Sequence, residues 1–240
     1  MEKSCMHHIA LDSETDFDGW RKAARALVLS QVKPSEVTWR VRGDAAKSVE
    51  PPATPLEPPQ GTFQATFQGT FQGTFQGTFQ STFNVSAKFV ALAQSAILHR
   101  DPERHAILYR LLWRLRNYPD LLDVASDPDV AQADAMAKAV HRDVHRMQAS
   151  IRFREIGREQ KAHYVAWFEP EHHIVEAAAP FFARRFADMP WSILTPDVCA
   201  HWDGHAVAIT SGIAAAEAPA PDRLEETWRR HSASISIRRG

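Results

Sequence analysis

WSILTPDVCAHWDGHAVAIT, residues 191–210, decides the fold class. Three short runs, Trp191–Thr195, Cys199–Trp202 and His205–Thr210, are separated by Pro196-Asp197 and Asp203-Gly204, residue pairs that reverse a chain. This spacing predicts a three-stranded antiparallel meander. Upstream, Ile151, Phe153 and Glu155 alternate with Arg152, Arg154 and Ile156, which is the two-residue period of a strand. Gly157-Arg158-Glu159-Gln160 reads as a turn, and HYVAWF at 163–168, apolar on both sides, as a central strand. Between these strands a helical stretch is expected from about Glu171 to Phe186. Pro180 should kink it or start a new helix, because an interior proline costs about 3 kcal/mol.

The residues before this sheet carry helical spacing. Ser86 is an N-cap candidate for a helix with Phe89, Leu92, Ala93, Ala96 and Ile97 on one face. A second helix is expected to open at Asp101-Pro102-Glu103 and run to about Tyr118, burying Leu108, Leu111, Leu112 and Leu115. A third opens at Asp127-Pro128-Asp129, and Val130, Ala137, Val140, Val144 and Met147 extend its apolar stripe. The expected class is α+β, a helical layer packed on a mostly antiparallel sheet.

At the N-terminus, HHIALD, a helix from about Phe17 capped by Asp16, and EVTWRV read as strand, helix, strand. Trp20, Ala24, Leu27 and Val28 form the buried face of that helix. So small a unit must dock on the rest of the chain. Five prolines between residues 46 and 60 mark an extended linker. From Gly61 to Asn84 the chain is six tetrapeptides, GTFQ, ATFQ, GTFQ, GTFQ, GTFQ and STFN. A period of four drifts about 40° per repeat on a helix, so the phenylalanines share no helical face. In a strand they would share one, but interior glycine weakens it. The tract is expected to be a disordered or loosely β insertion, an expansion in a tolerant loop rather than a self-associating element. The domain plan is therefore 1–45, 46–84, a main domain at 85–213, and a linker with a short amphipathic helix, Arg223 to Arg230, in 214–240.

Of the 240 residues, 28 are Lys or Arg and 29 Asp or Glu, so bulk charge attracts no nucleic acid and any contact needs a local patch. No apolar run approaches the eighteen or so residues that span a bilayer, and no membrane partner is expected. Cys5 and Cys199 make neither a disulfide framework nor a CxxC site, which fits a reducing cytoplasmic setting.

The basic stretch Lys138–Lys161 has seven Lys and Arg against three acids. Arg142 and Arg146 stand one helical turn apart, and Arg152 and Arg154 share a strand face, so the four can converge on a phosphate backbone. The alternative is a solvated face with salt bridges to Glu155 or Glu169. On the second helix, Arg110, Trp113 and Arg114, with Tyr109, lie off the leucine face, an aromatic and arginine mix suited to stacking bases. Packing under a neighbour is the competing reading for Tyr109 and Trp113.

Among twelve histidines, His141 and His145 sit at i, i+4 but lack the glutamate of HExxH. Cys199, His201 and Asp203 alternate along a strand, yet Asp203-Gly204 is better explained as a turn. Neither is expected to hold a metal, and no cofactor is expected. An enzymatic alternative would use His145, His172 and Arg152 as acid, base and anion clamp, and requires them to share one cleft. There is no Gly-rich phosphate loop and no GxSxG.

HRDPERHAILYRLLWRL (99–115), AMAKAVHRDVHRMQASIRFRE (135–155), YVAWFEPEHHIVEAAAPFFARRFADMPWSILTPD (164–197) and AHWDG (200–204) together resemble a bacterial domain-of-unknown-function family. Its members are described as DNA-metabolism or DNA-repair proteins. They occur as companions of a radical-SAM protein and as N-terminal domains fused to family X uracil-DNA glycosylases. IALDSETDFDGWRKAARALV at the start is similar to those fusions. The resemblance implies an accessory DNA-repair module, with DNA, a radical-SAM protein or a uracil-DNA glycosylase as partner. It transfers no catalytic residue. The glycosylase part is missing, the Phe-Gln tract is extra, and the ending SASISIRRG reads as a shortened C-terminus.

Overall fold

The computed structural model describes residues 6–42, 85–156 and 162–214. The Pro-rich linker, the Phe-Gln tract, the 157–160 turn and the Arg223–Arg230 helix lie outside them. No described helix is long and apolar enough to cross a membrane. The chain divides into two compact units, Met1–Ile97 with Pro102–Asp134, and Leu98–Asp101 with Ala135–Gly240. The cut differs from the plan read from sequence, because the first helices after residue 85 cluster with the N-terminal residues and not with the large sheet.

In the first unit, β1 (His7–Leu11), α1 (Phe17–Leu29) and β2 (Val37–Val41) form a βαβ element with parallel strands. Asp16 caps α1, its Oδ1 accepting from Gly19 N at 2.8 Å, which satisfies an orphan donor of the first turn. Trp20, Ala24, Leu27 and Val28 are buried as their spacing predicts. They face α2 (Ala87–Ala96), capped by Ser86, and α3 (Arg104–Arg114). Trp20 Nε1 donates to His105 O at 3.3 Å, and Tyr109 Oη donates to Val32 O at 2.7 Å. The α3 helix is shorter than expected at both ends: residues 102 and 103 form a turn before it and residues 115–117 one after it. The long α4 (Pro128–Ser150) has proline at its first position, where the missing N–H is harmless. Asp127 Oδ1 accepts from Asp129 N and Val130 N at its start.

The second unit carries a five-stranded sheet in the order β3 (Arg154–Ile156), β4 (His163–Trp167), β5 (Trp191–Leu194), β6 (Val198–Trp202), β7 (Val207–Ser211). All neighbours are antiparallel except β4 and β5, which α5 (Val175–Arg185) joins as a crossover. The fold is thus α+β. The meander closes on Asp203, whose Oδ1 takes the amides of His205 and Ala206 at 2.8 Å, and on Gly204 at φ +100, open to glycine without strain. Val140, Met147, Ala178, Ala179 and Phe182 of α4 and α5 pack against Ala166, Trp191, Ile193 and Ala200 on one face of the sheet.

Two local readings are corrected and a third is narrowed. The strand expected from Ile151 begins at Arg154, since residues 151–153 are irregular. The helix expected from Glu171 begins at Val175, because residues 171–173 are held in bends by hydrogen bonds to Asp143 and Leu98. Of the two outcomes expected at Pro180, a new helix does not occur: α5 runs through it as one element, with the proline and Glu176, four residues earlier, both exposed to water.

Candidate functional site

Arg110, Trp113 and Arg114 belong to the first unit, on α3. Arg110 and Arg114 are one turn apart, so both reach the acids that open α4. Arg110 Nη2 donates to Asp129 Oδ1 at 2.9 Å; Arg114 Nη1 donates to Asp127 Oδ1 and Asp129 Oδ2, each at 3.0 Å. The Arg114 guanidinium holds the Asp127 carboxyl below its usual range, and Asp127 in turn raises Arg114. These cations are balanced within the molecule and act as a staple between two helices. Trp113 is half-buried beneath the Arg116 guanidinium, 4.3 Å from its ring centroid. Tyr109 is buried, and burial pushes its phenol up.

Arg142, Arg146, Arg152 and Arg154 belong to the second unit. Arg142 is exposed on α4. Arg146, one turn on, lies across the Phe168 ring at 5.0 Å and donates from Nε and Nη2 to Asp143 Oδ1 at 3.1 and 2.6 Å. Its Nη2 also reaches Glu169 O at 3.2 Å and Glu171 Oε1 at 3.4 Å. Arg152 donates from Nη1 to Ala149 O at 2.7 Å and Ile151 O at 2.9 Å, at the helix C-terminus where the dipole favours a cation. Carbonyl partners leave its charge in place. Arg142 and Arg146 occupy positions i and i+4 of α4, and the Arg152 guanidinium is held at the C-terminal end of the same helix. Arg154 is exposed on β3, opposite Val165.

Sequence reasoning missed the residue that organises this surface. The Asp143 side chain is 1% exposed. While Oδ1 holds Arg146, Oδ2 accepts from the amides of Glu171 and His172 at 2.8 and 2.9 Å, tying the EPEHH segment to α4. His172 Nδ1 accepts from Arg100 N at 3.4 Å, and its ring lies 4.3 Å from that of His99. Arg100 donates from Nε to Glu171 O at 3.0 Å, and its guanidinium is paired with Asp197. His173 N donates to Leu98 O at 2.9 Å. The signal was present: helical spacing puts Asp143 between Val140 and Met147, on the buried face.

His145, His172 and Arg152 do not share a cleft. His145 is exposed and stands two residues from Asp143, so it projects to another side of α4 from the carboxylate that holds His172. The Ala149 carbonyl that holds Arg152 is about 9 Å along the helix from Asp143. His141 and His145 are exposed, while the acid between them is buried and committed. Cys199 is fully buried, its thiol pushed up by burial, and His201 bonds Ser192 Oγ at 2.7 Å and Thr210 Oγ1 at 2.9 Å. Among the described residues no three His, Cys, Asp or Glu side chains form a group that could hold a metal.

A polar row crosses the sheet: His163 Nε2 bonds Ser192 Oγ at 2.8 Å, and the row continues through His201 to Thr210. Burial pulls the pKa of His163 down, and the same cause outweighs Asp143 and Glu171 at His172. Both imidazoles take up protons more readily in the unfolded chain. Their stabilising effect is therefore complete above the ordinary histidine value of about 6.5 and is lost as pH falls from there. Tm is expected to fall on acidification from about pH 7 to 5, with a flatter profile in His163→Gln; a Tm that is constant or rises over this range would contradict the assignment.

The family model described as a domain of unknown function, DUF4130, matches residues 102–239. No curated protein and no solved structure matches the chain.

Proposed function

The chain belongs to the DUF4130 family of unknown function, and from that premise we propose that it is an accessory module of DNA metabolism and repair, acting in the cytoplasm. It holds the phosphate backbone of a nucleic acid on the row made by Arg142, Arg146 and Arg152. The observation that supports this reading is that Arg142 and Arg146 stand one turn apart on α4, with Arg142 exposed and Arg152 held at the helix C-terminus by the carbonyls of Ala149 and Ile151. Arg110 and Arg114 are neutralised by Asp127 and Asp129. The resemblance to DNA-repair companions points the same way, and it makes a radical-SAM protein or a uracil-DNA glycosylase the protein partner. No reaction is assigned.

The test is binding of labelled duplex and single-stranded DNA to variants at exposed positions. Arg142→Ala and Arg152→Ala are each expected to weaken binding about three- to tenfold, uniformly across sequences, as loss of a phosphate contact does. Arg110→Ala should leave binding unchanged. The opposite pattern would contradict the proposal. Absence of DNA binding, together with nucleic-acid-free co-purification with a radical-SAM protein, would leave a docking scaffold instead.

A further inference from the structure

The five-stranded sheet ends at β7, and among the described residues no strand lies beyond it. Its register with β6 fixes which backbone groups that edge presents. Gly212 N donates to Asp197 O at 3.0 Å and Asp203 N to Ala206 O at 3.5 Å. The bonded pairs of the unbroken ladder between them are therefore Cys199 with Thr210 and His201 with Ala208. The N–H and C=O of Ala208 and Thr210 are directed at β6, and those of Val207, Ile209 and Ser211 point to the open side. Ser211 O also receives a bond from Thr210 Oγ1 at 3.5 Å, which leaves it a second lone pair. Ala208 and Ile209 direct their side chains to opposite faces of the sheet and both are exposed, Ile209 by 40%, so the rim is open from either face.

We propose that a second copy of this chain pairs along this edge, joining the two sheets across a twofold axis at Ile209. Sheet edges that stay solitary carry charge, proline or a bulge. The opposite edge does so: β3 is three residues long, and two of them are the exposed Arg154 and Glu155. VAITS in β7 has no charge and no proline, and its register with β6 runs without a bulge through all five residues. An uncharged strand selects no charged peptide, whereas this one is complementary to itself. Laid antiparallel to its copy and centred on Ile209, it sets Val207 opposite Ser211 of the second copy and Ile209 opposite Ile209. Every outward N–H and C=O of the three residues then finds a partner, with two bonds at each pair. The contact is isologous and uses up the β7 edge of both copies, so assembly closes at a dimer.

Sedimentation of the unaltered full chain from about 10 µM to about 1 mM reads the association. A monomer–dimer equilibrium with Kd of about 0.1 mM is expected, the weak range of a contact confined to one strand; a monomer throughout would overturn the proposal. Position 209 faces itself only in this register, with Cβ atoms about 5 Å apart. Ile209→Lys and Ile209→Glu are each expected to weaken dimerisation at least about tenfold, and an equimolar mixture of the two to restore it as a heterodimer. Dimers in both single variants, or none in the mixture, would contradict it. Where a variant fails to fold, hydrogen exchange on the unaltered chain decides. The amides of Val207, Ile209 and Ser211 are expected to slow as concentration rises, while those of Ala208 and Thr210, bonded to β6, stay slow throughout. Protection of the first three that is independent of concentration would assign the edge to the chain itself and sink the dimer.

Discussion

Asp143→Ala is expected to lower the unfolding free energy by about 2–4 kcal/mol. The carboxylate is buried and receives four hydrogen bonds, two from Arg146 and two from the amides of Glu171 and His172. Removing it strands both amides in the protein, at about 1–3 kcal/mol for each unmade bond. Arg146 tempers the loss, because its side chain is 44% exposed and water can solvate it. In a chain of this size the change corresponds to a drop in Tm of about 5–15 °C. Asp143→Asn keeps an acceptor but gives up the charge-assisted bonds, and should lose about half as much. A Tm within about 2 °C of the parent for Asp143→Ala would show that the EPEHH segment is held by other means.

Gly212→Ala should be at least as damaging, at about 3 kcal/mol or more. A methyl group at this position would lie 2.1 Å from the Pro196 carbonyl oxygen and 2.4 Å from its carbon. Both are backbone atoms and cannot rotate aside. Gly212 N donates to Asp197 O at 3.0 Å and Ile213 N to Thr195 O at 2.9 Å, so making room means breaking the bonds that fix the end of β7 against the β5–β6 turn. Chemical denaturation measures the loss. A stability within about 1 kcal/mol of the parent would mean that the turn yields more easily than its hydrogen bonds imply.

What was legible in the sequence was local. Asp16, Ser86 and Asp127 cap helices because a short polar side chain ahead of an apolar stripe answers orphan amides a few residues away. The meander was legible because Pro196-Asp197 and Asp203-Gly204 punctuate a strand period. What escaped was set by contacts between distant residues. Arg110 and Arg114 looked like a free cationic face, but their acids lie more than a dozen residues on, at the start of another helix. Asp143 looked like one acid among histidines, and only the fold shows that its partners are the amides of a segment nearly thirty residues away. The Lys138–Lys161 stretch counted charges correctly without revealing that Arg146 spends part of its charge on Asp143. The arginine row is consequently shorter than the sequence allowed.

Equilibrium binding of the purified chain to labelled duplex DNA across a salt series tests that row most directly. Two to three guanidiniums neutralising phosphates predict that log K falls linearly with log salt, with a slope of about −2 to −3. Binding that is absent at low salt, or present with no salt dependence, would contradict a phosphate-holding surface on α4.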